Sequence, residues 1–162
     1  MYIRYIELLR AGWGAGLLSA PNAVLTRVHG VRVDRKAEVI SRILGARHLV
    51  QASLSGVDPS PEILAGGVWV DTVHAVTALG LAVVDRRRAR AALTDAVIAG
   101  VWAVFGWRDL HSGNVPSRPH DRGRDELART VFGALPGGGR LMAQARRARL
   151  RSAATAPRPP SC

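Results

Sequence analysis

The sequence predicts an all-α fold: a four-helix transmembrane bundle over residues 1–109, followed by a basic, largely disordered C-terminal tail over residues 110–162 with short amphipathic helices. Three observations predict it. Residues 63–84 form a run whose only ionisable groups are Asp71 and His74, long enough to cross a hydrocarbon layer that takes roughly 20 apolar residues. Three further segments with helical apolar patterning are set apart from it by turn-forming or arginine-rich loops. The composition then shifts: residues 1–107 hold 12 Lys/Arg and 8 Asp/Glu, whereas residues 108–162 hold 11 Arg and 4 acids, so the excess charge lies mostly in the tail.

The first segment, Ile3 to Ala20, carries Glu7 and Arg10 where a cleaved secretory signal would need an apolar core, and it reads as a retained helix ending at Pro21-Asn22. Gly12 and Gly16 form a small-xxx-small pair that lets another helix come close. Residues 22–36 make a basic loop with Arg27, Arg32, Arg35 and Lys36. The second segment, Ala37 to Leu54, contains Glu38, Arg42, Arg47 and His48. On an insertion scale a central Arg costs about 2.5–3.5 kcal/mol, and each Leu, Ile or Val returns only about 0.3–0.6 kcal/mol, so this helix needs neighbours that supply countercharge. Residues 55–62, SGVDPSPE, have turn chemistry and no basic residue. The third segment, Ile63 to Val84, stops at Arg86, Arg87, Arg88 and Arg90. The fourth, Ala91 to Trp107, has one acid, Asp95, repeats the small-residue spacing at Ala96 and Gly100, and puts Trp107 at a boundary that suits indole rings. Beyond it, residues 111–125 read as a linker, residues 125–135 and 140–153 as short amphipathic helices parted by the breaker PGGG, and residues 154–162 as disordered by composition.

Of the 23 basic residues only Lys36 is lysine, a bias that suits a GC-rich coding sequence better than a phosphate-binding surface, so nucleic acid is not an expected partner. Cys162 is the only cysteine, which excludes an internal disulfide and any Cys-based metal site. The loops after the first and third segments hold eight basic residues and the loop after the second holds none. Basic residues favour the cytoplasmic side, which points the 55–62 tip outward and, with four spans, both termini as well. Arg4, Arg108, Arg118, Arg122 and Arg124 pull the other way.

Taking the loop midpoint near Pro59, Arg47 lies twelve residues before it and Asp71 twelve after, so on antiparallel helices the two sit at one depth. Arg10 and Arg47 are likewise each about eighteen residues from the first loop's midpoint, a matched rise along their helices. Glu7, Arg10, Arg47, His48, Asp71 and His74 therefore form the predicted intramembrane polar cluster. Ionisable side chains inside a membrane face the bundle interior and pair, which makes an ion-pair network that sets helix register the first reading. The same residues suit a proton or ion relay. A third possibility is a metal at His48, Asp71 and His74, because Asp71-x-x-His74 puts two ligands on one helix face. No nucleophile elbow or triad is present, and Pro136 to Arg140 lacks the Lys-Ser/Thr of a phosphate loop, so neither catalysis nor a cofactor is expected. Arg140 to Arg151, with Leu141, Met142, Ala145 and Leu150, has the pattern of a basic helix for anionic headgroups.

Arg10-Ala-Gly-Trp-Gly with Leu17-Leu-Ser-Ala-Pro21, then Arg42-Ile-Leu-Gly-Ala-Arg47-His-Leu, then Asp71 followed by the Arg86 run, resemble a group of small actinobacterial membrane proteins of unknown function over about residues 4–109. The resemblance implies a four-helix membrane bundle with its polar residues turned inward, and no activity. Relatives of this kind often carry Asp or Glu after Gly-Ala-Arg, where this chain has His48. The expected protein is thus a multi-pass protein of the cell membrane, with the lipid bilayer as partner. It would serve as an accessory or scaffold subunit bound to another membrane protein or to copies of itself. The alternatives are a small ion, proton or solute carrier using Arg47, Asp71 and His74, a membrane enzyme with a metal at His48, Asp71 and His74, and a soluble helical nucleic-acid-binding protein.

Overall fold

The alternation of apolar runs and breakers resolves into helices alone. The computed structural model describes residues 4–30, 33–112 and 122–155, and among these residues there is no strand. The helices are α1 (Tyr5–Ser19), α2 (Pro21–Arg27), α3 (Arg35–Ser55), α4 (Pro61–Val84), α5 (Ala89–Ser112), α6 (Arg122–Gly133) and α7 (Gly138–Thr155). Arg32, the linker core at residues 113–121 and the end at residues 156–162, including Cys162, lie outside the described residues.

Helix starts have local causes. The Asp34 carboxylate accepts the Ala37 N–H at 2.6 Å and caps α3. Ser60 Oγ accepts the Ile63 N–H at 3.2 Å, and Pro61 takes the first position of α4, where a missing N–H loses nothing. Pro21 does the same for α2, so part of the stretch expected to be a basic loop begins as a seven-residue helix.

α1 packs on α3 and α4 on α5, each an antiparallel pair. The Arg4 N–H donates to the Gly56 carbonyl at 3.1 Å, so the start of α1 meets the end of α3. Gly14 and Gly45 let these two backbones touch: a Cβ on Gly14 would lie 2.8 Å from the Gly45 oxygen, and one on Gly45 2.6 Å from the Gly14 oxygen. The close approach therefore uses Gly14, not the predicted Gly12, where an added Cβ would meet open space.

Two expectations are met in part. Two helices, α4 and α5, are long and apolar enough to cross a membrane, where four were expected. α1 ends after 15 residues, about 22 Å at 1.5 Å per residue, and α3 is weighed down by Arg35, Lys36, Glu38, Arg42, Arg47 and His48. The two short helices expected in the tail are present as α6 and α7, but in place of a largely disordered segment they pack on the α4–α5 pair. Met142, Ala145 and Ala148 recur at every third residue of α7, a stripe small enough to bring it onto Leu64, Ala65 and Leu110, with Phe132 and Leu141 at the edge.

Away from this small apolar core, α1 and α3 turn many charged and small side chains inward and aliphatic ones outward. α1 buries Glu7, Arg10, Gly14 and Leu17 while Leu8 and Leu9 face outward. α3 buries Ser41, Gly45, His48, Ala52 and Ser55 while Val39, Ile40, Ile43, Val50 and Leu54 face outward. The outer face of α4 and α5 includes Val73, Val76, Leu79, Val97, Val101, Val104 and Phe105.

Candidate functional site

The i, i+3 spacing of Arg4, Glu7 and Arg10 puts three charges on one face of the chain entering and forming α1. That face meets α5 at one end and α4 further in, and the charges alternate along it. Arg4 Nε donates to Asp109 Oδ2 at 2.7 Å, and Arg4 Nη1 to Glu7 Oε1 at 2.5 Å. Arg10 Nε lies 3.0 Å from Glu7 Oε2, and Arg10 Nη2 donates to Asp71 Oδ2 at 2.8 Å. Arg47 Nη2 from α3 donates to Asp71 Oδ1 at 2.8 Å, and Gln51 Nε2 reaches the same oxygen at 3.3 Å. Asp71 is wholly buried, and Arg4, Glu7 and Arg10 nearly so.

An aromatic floor supports this column. The Arg10 guanidinium carbon sits 4.8 Å from the centre of the Trp102 ring, a cation–π distance. His48 tilts against the same indole with ring centres 4.8 Å apart. The small side chains around it matter: a Cβ on Gly106 would come 2.9 Å from Val68, so α4 and α5 close tightly beside the column.

The structure thus brings Glu7, Arg10, Arg47 and Asp71 into one network. His48 borders it through Trp102, and its Nδ1 has no hydrogen-bond partner. His74 lies apart, lining a cavity on the side of the two basic loops. Among the described residues no group of three His, Cys, Asp or Glu side chains could hold a metal, so the trio His48, Asp71 and His74 is not a ligand set. The reason is that Asp71 turns both oxygens to arginines, and each histidine packs elsewhere. Sequence reasoning missed Arg4, Asp109, Gln51 and Trp102. The signal for Arg4 was the spacing that repeats from Arg4 to Glu7 to Arg10; Asp109 lay outside an argument confined to mid-depth.

A second charged cluster docks the tail. Glu62, in the first turn of α4 and buried, accepts from Arg129 Nη1 at 3.0 Å and Arg149 Nε at 3.1 Å. Arg149 Nη2 also donates to Glu62 Oε2 and Asp125 Oδ2. The hydrogen bond to Glu62 leads in pushing the Arg149 pKa up, and the one to Glu126 leads for Arg129. Trp69 Nε1 donates to the Pro136 carbonyl at 3.0 Å, tying the turn before α7 to α4.

Comparison with family models, curated proteins and solved structures finds no match.

Proposed function

We propose that this chain is an integral membrane protein in which α1 and α3 lie in the bilayer beside α4 and α5, and that it serves as a non-catalytic accessory or scaffold subunit. The observation that carries the reading is the reversed distribution of side chains. In a soluble bundle the apolar stripe of each helix faces inward. Here charges, small residues and an indole share the centre with a few aliphatic side chains such as Leu17 and Val68, while most Leu, Ile and Val of α1, α3, α4 and α5 lie outside. Within the most apolar stretch of α4 only 17% is buried, and within that of α5 28%, whereas the core helix of a soluble protein hides such a stretch. An exposed apolar surface of this extent needs lipid or protein against it. Arg42 and Glu38 pair at 2.8 Å within the first two turns of α3, about 10 Å from its start, where long stems reach the headgroups. The motif resemblance to small actinobacterial membrane proteins is part of this proposal.

Balance and space favour a clasp over a carrier path. Three cations, Arg4, Arg10 and Arg47, face three anions, Glu7, Asp71 and Asp109. A cavity of about 330 Å³ opens beside Arg4 and Glu7, but where Arg10 meets Asp71 and Trp102 the free space is about 10 Å³, no more than the roughly 10–15 Å³ that one water needs, so the path is closed there. The cluster is therefore read as the part that holds the two helix pairs together.

Alkaline carbonate extraction of cells expressing the chain tests the reading. Sedimentation with the membranes supports it; release into the soluble fraction refutes it. In mild detergent, a complex with a second membrane protein supports the accessory role, whereas a pure stable oligomer favours the carrier.

A further inference from the structure

At the end of the bundle away from α6 and α7, the helices enclose a cavity of about 300 Å³, at the lower end of the roughly 300–1,000 Å³ typical of small-molecule sites. Its wall is mainly apolar, with Leu17, Leu25, Leu44 and Ala78 turned toward it. His74, His29 and the carboxylate of Asp95 face it, and the last two leave their bonding capacity unused. His29, in the turn after α2, is 3% exposed, and neither ring nitrogen has a hydrogen-bond partner. Its Nε2 lies 4.0 Å from Asp95 Oδ1, beyond hydrogen-bond length. Trp13 stacks on the ring with centres 6.0 Å apart and planes 17° from parallel, which fixes the direction of the nitrogens.

Asp95 contrasts with Asp71. Asp71 receives two arginines and a glutamine, while among the described residues Asp95 accepts no hydrogen bond: His29 stands 4.0 Å away, and Arg47 reaches it through charge alone, its Nη2 given to Asp71. Arg88 also lines the cavity but is engaged by Asp34 at 3.2 Å and Asp85 at 3.7 Å on the rim. What the site lacks is a cationic hydrogen-bond donor attached to an apolar body. An anion would place like charge against Asp95, and a wholly apolar molecule would leave both polar groups unsatisfied.

We propose that this cavity is a binding site for small amphipathic amines, the ammonium held between Asp95 and His29 and the alkyl body against the leucines. No clasp side chain lines this cavity, and Arg47 acts on Asp95 only through its charge, so the site goes beyond the accessory role and is tested separately from it.

The full-length protein, purified in detergent, is titrated with three probes that share a six-carbon chain: hexylamine, hexanol and hexanoate. Hexylamine should bind at least tenfold more tightly than hexanol, and hexanoate more weakly than either. Asp95→Asn should bring hexylamine to the level of hexanol and leave hexanol unchanged. Equal binding of all three probes, no saturable binding, a preference for hexanoate, or unchanged hexylamine binding by Asp95→Asn overturns the proposal. A measurement that needs no variant is photolabelling of the wild-type chain with an alkylamine bearing a diazirine. Label confined to the cavity wall around Leu17, Leu44 and Ala78 supports the site; label spread over the outer apolar faces refutes it.

Discussion

Replacing Asp71 with Asn keeps the shape of the side chain and removes one negative charge from a column that otherwise balances. Arg10 retains Glu7 at 3.0 Å, so the loss falls mainly on Arg47, whose side chain is 21% exposed. Removing one partner of a fully buried ion pair costs about 3–5 kcal/mol. Partial hydration of Arg47 and the surviving Glu7 contact place Asp71→Asn near the low end, about 3 kcal/mol. At roughly 2–4 °C per kcal/mol for a chain of this size, the melting midpoint should fall by about 6–12 °C. Adding Arg47→Gln restores electrical balance, and the double variant should recover about 2 kcal/mol of the loss. Thermal unfolding in one detergent, with wild type and the two variants side by side, measures both quantities. A single variant within about 0.5 kcal/mol of wild type, or a double variant no more stable than the single one, would refute the clasp.

Other consequences follow from the same contacts. Gly45→Ala forces a Cβ against the α1 backbone and should destabilise by about 1–3 kcal/mol, while Gly12→Ala, which meets nothing within 4 Å, should be neutral in the same melting assay. Glu62→Gln should loosen α6 and α7 by about 2 kcal/mol, less than for a fully buried pair because Arg129 and Arg149 are about a third exposed, and hydrogen exchange in both helices should accelerate together. The Asp34 carboxyl sits below its usual pKa of 3.8, chiefly through the Ala37 N–H and then through the charge of Arg88. A depressed carboxyl stabilises above its unfolded pKa and loses that contribution as pH falls through the folded value. The first turn of α3 should therefore fray in acid below 3.8, visible as faster exchange at Ala37, and Asp34→Ala should remove the pH dependence.

The four long helices were legible because their apolar runs end at strong breakers: Pro21, the 55–62 turn, and the Arg86 run. Counting residues from a loop midpoint located Arg47 opposite Asp71, since both helices rise equally per residue. The same counting could not tell which way a side chain points, so it drew in His48 and His74, which face Trp102 and the cavity instead. The two tail helices were legible, but their docking was not, because the arginines suggested a solvated chain; the buried Glu62 that neutralises Arg129 and Arg149 sits 67 and 87 residues away in sequence, a pairing no local pattern carries. His29 escaped notice because it lies in what reads as a loop.

The column divides its charge unevenly between the two helix pairs. Arg4, Glu7, Arg10 and Arg47 leave the first pair with a surplus of two positive charges, and Asp71 and Asp109 leave the second with two negative. During synthesis the first half thus emerges as an unfinished object, its arginines uncompensated until α4 and α5 arrive. Under the membrane reading, each half alone would hold unpaired charges that the other half neutralises. Completeness of this small protein is therefore something a cell could sense electrostatically, and two separately expressed halves should protect one another from degradation.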